Sequence, residues 1–166
     1  MVRKIEKKHI SECVSVIKDS FLTVATEFGI TQENAPLYVL FSTTEEKLMQ
    51  QLNEECRPMF AYFNDDDKIV GYYSLRIQEN DECELNNLCV LNRFRHKNIG
   101  AELLNHSFSY ANTLGCVRMN ISIIEENAKL KHWYESFGFK HIKTQKFDFF
   151  PFTCGYMQKE LPNNQN

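Results

Sequence analysis

The chain reads as an α/β domain with a mostly antiparallel start and one strand-helix-strand crossover. Three observations predict this. Apolar residues recur at helical spacing in some segments and at alternate positions in others. The segments follow one another in the order β-α-α-β-β-β-α-β-α-β-β. No internal repeat, low-complexity tract or Pro/Gly/Ser-rich linker breaks that order, so residues 1–166 are expected to form one domain with a sizeable core.

VRKI opens the chain as a short strand. From about His9 to Phe28, Ile10, Val14, Ile17 and Phe21 repeat at helical spacing. Ser42 or Thr43, followed three residues later by Glu45 or Glu46, resembles a capping box that opens a second helix, TTEEKLMQQLNEE. PMFAYF and KIVGYYSLRI read as a hairpin across the polar turn NDDD, and the alternation Ile69, Gly71, Tyr73, Leu75, Ile77 supports it. ECELNNLCVL is the next strand, with two adjacent asparagines that are odd at a buried position. In AELLNHSFSYANTLG, Leu103, Tyr110 and Leu114 fall near one helical face, and Gly115 makes a good C-terminal stop. VRMNISII is a strand. NAKLKHWYESFG is a short helix with Asn127 as its N-cap and Gly138 at its end. KHIKTQKFDF and FTCGYMQKEL are the closing strands.

Composition narrows the function. Hydrophobic content of 43% and charged content of 25% are ordinary for a globular protein. The 19 Lys and Arg against 22 Asp and Glu leave a net charge of −3, without the basic field that drives nucleic-acid binding. The opening MVRKIEKKHISECVSVIKDSF carries charges throughout and has no apolar h-region. No apolar stretch approaches the roughly 20 residues that a membrane span needs. A soluble, cytoplasmic protein with neither nucleic acid nor membrane as partner is expected. None of the six cysteines falls in a C-x-x-C pair, and no His spacing suggests zinc. They read as structural thiols, and no metal is expected.

Residues 93 to 104, RFRHKNIGAELL, carry the sharpest signal. Arg93, Arg95, His96 and Lys97 crowd together just where a helix is expected to start. A helix N-terminus is already partially positive, so added cations are unfavourable there unless an anion sits against them. Unpaired N–H groups in the first turn can all point at one phosphate. Gly100 lets a ligand approach the backbone, and Asn98 is of a type that tolerates a left-handed conformation. There is no GxxxxGK[ST], and the single glycine rules out GxGxxG. A basic, solvated loop is the competing reading.

The run R95-H96-K97-N98-I99-G100-A101 resembles the acetyl-CoA loop of the GNAT N-acetyltransferase superfamily, Q/R-x-x-G-x-G/A, with Asn98 in place of the first glycine. The run N127-A128-K129-L130-K131-H132-W133-Y134-E135-S136-F137-G138-F139 is similar to that family's N-x-x-A-x-x-L-Y-E-K-x-G-F. Leu130 replaces the small residue and Trp133 the leucine. The resemblance spans nearly the whole chain and implies the GNAT fold: a mixed, mostly antiparallel central sheet flanked by helices, with a V-shaped cofactor cleft. It implies that Arg95, His96, Lys97, Asn98, Ile99, Gly100 and Ala101 hold the pyrophosphate of acetyl-CoA, chiefly through backbone amides. Asn127 would fix the pantetheine arm, and the Tyr134 hydroxyl would lie near the CoA sulfur. The strand with the two asparagines would carry a bulge, with Leu88, Cys89 and Val90 offering backbone groups to the pantetheine amides. Trp133, Phe137 and Phe139 read as aromatic core.

Acetyl transfer to an amine needs a base and a proton for the leaving thiolate. Glu84, six residues before Val90 on the strand entering the cleft, is the candidate base; an exposed strand carboxylate is the alternative, with Glu79, Asp81 and Glu82 close by. Tyr134 would protonate or hydrogen-bond the thiolate, and hydrogen bonding would be the larger part, since a phenol is the weaker acid. A strand N–H near Val90 would polarise the carbonyl. Cys89, His132 and His141 read as structural or surface residues. The expected function is direct transfer of the acetyl group of acetyl-CoA to a primary amine of a small molecule or peptide in a ternary complex. A non-catalytic acyl-CoA-binding sensor or scaffold is the rival; it shares the loop but needs neither Glu84 nor Tyr134. FDFFPFTCGYM is read as the acceptor side, a homodimer contact or the core of a terminal hairpin.

Overall fold

The computed structural model describes residues 1–162. Its seven strands are β1 (Val2–Lys4), β2 (Met59–Phe63), β3 (Ile69–Ile77), β4 (Glu82–Val90), β5 (Arg118–Ile124), β6 (Lys140–Lys146) and β7 (Thr153–Glu160). They form one open sheet in the order β1-β2-β3-β4-β5-β7-β6. Every neighbouring pair is antiparallel except β4 and β5. A parallel pair needs a crossover, and α4 (Ile99–Thr113) supplies it. The α/β class and the crossover are as the sequence predicts.

Period-two alternation splits the core into two faces. Met59, Ala61 and Phe63 of β2 pack with Ile10, Cys13 and Ile17 of α1 (Ile10–Glu27) and with Leu48 of α3 (Glu45–Asn53). On the other face, Phe60, Tyr73 and Leu75 pack with Leu103, Leu104 and Ala111 of α4. A Cβ at Gly71 would sit 2.8 Å from Leu103 Cδ1 and 3.0 Å from the carbonyl oxygen of Cys89. Glycine there lets α4 press directly on the sheet. A third cluster joins Ala25 at the end of α1, Ile30, Ala35 and Tyr38 of the following segment, and Ile124, Phe152 and Cys154 of the far strands.

The structure corrects three local readings. The N-cap of α3 is Thr44, whose hydroxyl accepts from the Lys47 N–H at 3.1 Å, rather than Ser42 or Thr43. The Thr43 hydroxyl is already committed: it donates to Val39 O at 2.6 Å and closes a one-turn helix, α2 (Val39–Ser42), that sequence periodicity does not register. In α4 the buried residues include Ile99, Leu103, Ser107 and Ala111, a row at spacing four. Leu114 lies past the last helical residue and is exposed, because the chain turns away at Gly115 with φ +79°. Among the described residues no helix is long and apolar enough to cross a membrane.

Candidate active site

The parallel pair β4 and β5 is short. Only Glu82↔Arg118, Cys83↔Met119 and Glu84↔Asn120 are in register. Beyond Glu84 the two strands part, leaving the β5-facing edge of β4 without a ladder partner. A polar ladder pins the closed end: Asn120 Nδ2 donates to Glu82 Oε2 at 2.7 Å, Arg118 Nη1 to Glu82 Oε1 at 2.6 Å, and Gln158 Nε2 to Asn120 Oδ1 at 2.8 Å. The hydrogen bond from Asn120, followed by Arg118, holds the Glu82 carboxyl below its ordinary range.

Strand β4 is irregular just past the point where it leaves β5. Tyr72 faces Cys89 and Ser74 faces Asn86, so Tyr73 alone stands against both Asn87 and Leu88: a bulge. Asn87 takes it up with φ +55°, and the expected bulge is present. The Asn86 side chain bonds to other side chains: it donates to Glu84 Oε1 at 3.0 Å and accepts from Arg57 Nη1 at 3.3 Å.

A cavity of about 270 Å³ fills the space between the strands, with Glu84 and Leu88 on one wall, Ile121 and Ile123 on the other, and Asn127 and Tyr134 closing over it. Glu84 stands at the apex of the V, ion-paired to Arg76 at 2.9 Å. Asn127 caps α5 (Ala128–Ser136) by accepting from the Leu130 N–H at 3.1 Å, which fixes the helix that carries Tyr134. Tyr134 is buried, yet its hydroxyl makes no hydrogen bond to any described residue and lies on the cavity wall. Burial raises the phenol above its ordinary value, with the Cys89 thiol adding to it.

Leu88 and Val90 pack against the α4 side of the core, while Cys89 points into the α1 side. Burial pushes the Cys89 thiol up to about 12, which leaves no thiolate for nucleophilic attack.

Helix α4 begins beside the open end. Its N-cap is Asn98 in the left-handed conformation, φ +64°, with no side-chain cap. The first intrahelical bond runs from Glu102 N to Asn98 O at 3.0 Å, so the N–H groups of Ile99, Gly100 and Ala101 have no partner within the helix. His96 is also left-handed, φ +60°, which the sequence did not signal. A Cβ on Gly100 would meet only Trp133 at 3.6 Å and Val90 Cγ2 at 3.9 Å, so nothing in the protein itself demands glycine. Phe139 is buried as core, whereas Trp133 and Phe137 are partly exposed, with Trp133 standing against the first turn of α4.

Arg95 does not aim its charge outward. Its guanidinium donates to Val90 O at 3.0 Å, Ser20 O at 2.9 Å and Thr23 Oγ1 at 2.8 Å, tying the loop to the end of β4 and to α1. Its backbone N–H bonds Asn92 O at 3.2 Å. His96, Lys97 and Asn98 remain exposed. Among the described residues no group of three His, Cys, Asp or Glu side chains is placed to hold a metal.

A family model, the acetyltransferase (GNAT) family, matches residues 28–139. The chain belongs to that family. No curated protein sequence matches it. Among solved structures it is similar to the PaiA N-acetyltransferase of Thermoplasma acidophilum, solved in complex with coenzyme A, with TM-score 0.82 and 20% identity over 96% of this chain and 98% of that one. It is also similar to the ribosomal-protein-S18-alanine N-acetyltransferase of Escherichia coli, with TM-score 0.76 and 14% identity over 100% and 98% of the two chains. The ribosomal-protein-alanine N-acetyltransferase of Brucella melitensis gives TM-score 0.73 and 21% identity over 97% and 99%. The sheet is therefore the GNAT sheet, the protein is an acyltransferase of the GNAT type, and its reaction class is acetyl transfer.

Sequence reasoning missed Arg57, which reaches Asn86 from 29 residues away. No local motif marks it.

Proposed function

We propose that the chain, acting as one domain over residues 1–166, moves the acetyl group of acetyl-CoA to a primary amine by direct transfer in a ternary complex. The observation that carries this is the parting of β4 from β5 at Glu84, beside a helix start with unpartnered amides. The residues present fit the cosubstrate. The amides of Ile99, Gly100 and Ala101, next to His96, Lys97 and the left-handed Asn98, suit a pyrophosphate. The edge of β4 from Leu88 to Val90, which has no ladder partner on the β5 side, suits an extended amide-bearing arm, and Asn127 holds the opposite lip. Acetyl-CoA supplies the activated acetyl group as a thioester.

Glu84 takes the amine proton, directly or through water, and its bonds to Arg76 and Asn86 keep the carboxylate oriented. Tyr134 donates its hydroxyl hydrogen bond to the departing sulfur, a role that suits a phenol without a partner among the described residues. Backbone N–H groups near Val90 stabilise the developing oxyanion. The buried Cys89 thiol takes no part.

The test is calorimetric titration with acetyl-CoA followed by a CoA-release assay across amines, polyamines and peptides. Saturable binding with amine-dependent release is expected. Binding without release from any amine overturns the transfer, and absence of binding overturns the cosubstrate.

A further inference from the structure

A second cavity, of about 280 Å³, adjoins the first and shares Leu37, Val39, Asn86 and Asn87 with it. Its character differs. The first is walled on its outer side by Phe21, Tyr38 and Phe152. The second is lined by Lys47, Gln51, Arg57, Ser42 and Thr43, and no Asp or Glu contributes to its wall. Gln51 is 8% exposed, and its side-chain amide bonds no described residue although it borders the cavity. Arg57 is fixed in place: Nη1 donates to Asn86 Oδ1 at 3.3 Å and Nε to Glu55, while Nη2 has no partner among the described residues. Glu55 offsets part of that charge from outside the cavity. Lys47 Nζ reaches only the Ser42 hydroxyl, at 3.4 Å, and is not ion-paired among the described residues.

This is a built polar recess. It holds two cations, the Lys47 ammonium and the preset Arg57 guanidinium, and a buried amide with unspent donors. Asn86 links it to the carboxylate of Glu84. Groups of that kind bind a carboxylate through charge-assisted hydrogen bonds, which are the stronger sort. The link also fixes the relative placement of an amine at Glu84 and an anion at Arg57.

We infer that the acceptor is a small amino acid, whose carboxylate enters the second cavity beside Lys47, Gln51 and Arg57 while its amine lies at Glu84. The inference rests on the acetyl-transfer reading of the first cavity. The two adjoining cavities have room for an amino-acid-sized molecule, and the aromatic wall of the first receives an apolar side chain. Polyamines, which would bring further positive charge toward Lys47 and Arg57, are disfavoured by like-charge repulsion.

The experiment measures CoA release by the full-length enzyme with saturating acetyl-CoA and matched acceptors: phenylalanine against phenylalanine amide and phenethylamine, γ-aminobutyrate against butylamine, and 1-amino-2-phenylethylphosphonate and spermidine alongside. In at least one pair the carboxylate member should exceed its neutral partner about tenfold or more in kcat/KM, the worth of one charge-assisted contact. Lys47→Met should lower that ratio about tenfold; Lys47 is an exposed α3 residue, so the fold tolerates the change, and Gln51→Leu provides a second, charge-neutral probe. Neutral amines or spermidine turned over as well as the amino acids would overturn the inference, as would a ratio unmoved by both variants. A phosphonate preferred over every carboxylate overturns the choice of carboxylate. A blank across the amino acids also overturns it, while release with any other amine leaves the acetyl-transfer reading standing.

Discussion

The carboxylate of Glu84 and the guanidinium of Arg57 are joined through a single amide, that of Asn86, which donates to one at 3.0 Å and accepts from the other at 3.3 Å. Asn86 and Glu84 lie two residues apart on one face of β4, in regular register with Ser74 and Arg76, just before the bulge at Asn87. The side chain that orients the proposed base thus sits where β4 has just left β5.

Replacing Glu84 by Gln keeps its shape and removes its basicity. We expect kcat to fall by roughly 10²- to 10⁴-fold, the usual worth of a general base. Its ion pair with Arg76 is half-exposed, so the stability loss should stay below about 1 kcal/mol. Steady-state kinetics with a competent acceptor, together with a urea melt, check both. Wild-type kcat would assign the base elsewhere.

Tyr134→Phe removes a hydroxyl that bonds no described residue. Melting should change by less than about 0.5 kcal/mol, since no intramolecular hydrogen bond is lost. Turnover should drop about 10- to 100-fold with the KM for acetyl-CoA held, as expected when a hydrogen bond to a charged leaving group disappears. An unchanged kcat removes Tyr134 from the mechanism.

The two sides of the cationic loop should respond differently. Gly100→Ala places a methyl at ordinary contact distance from Trp133, so the fold should hold or gain up to about 1 kcal/mol from helix propensity. Its Kd for acetyl-CoA should rise. Arg95→Met breaks two hydrogen bonds from the loop to α1 and one to the end of β4, and should cost about 1–3 kcal/mol of stability. Calorimetric titration and thermal melts of the two variants separate binding from scaffolding.

Alkaline pH should destabilise the fold. Burial raises Cys13 and Cys89 from 9.0 to about 12 and raises Tyr38, Tyr72, Tyr73 and Tyr134 above 10.0. The unfolded chain gives up these protons first. It therefore binds fewer protons than the native state above about pH 9, and unfolding free energy declines as pH rises. Below pH 9 the contribution is fully present. Urea midpoints measured from pH 8 to 11 should decrease progressively; a flat profile would mean that these groups titrate as in open solution.

Much of the scaffold was legible because helix and strand periods are local. Asn127 could be read as an N-cap, since a cap depends on its neighbours two and three residues on. The same locality made the Asn98 conformation an expectation that φ +64° meets. Thr44 shows the limit: in the run Ser42-Thr43-Thr44 any residue can cap, and the choice follows from Thr43 already closing α2. Arg95 marks another limit. Its charge suggested an anion, but two of its three partners lie 72 to 75 residues away.

By itself the sequence determined the order and type of the strands and longer helices, the loop at the start of α4 and the placement of Tyr134 one helix further on. These rest on spacings of a few residues, which backbone geometry converts directly into caps and faces. Only the tertiary structure decided that β4 leaves β5 at Glu84, that Asn86 couples Glu84 to Arg57, and that a cationic recess lies next to the cleft. Strand register sets those meetings between distant segments, and a shift of one residue would send each side chain to the opposite face.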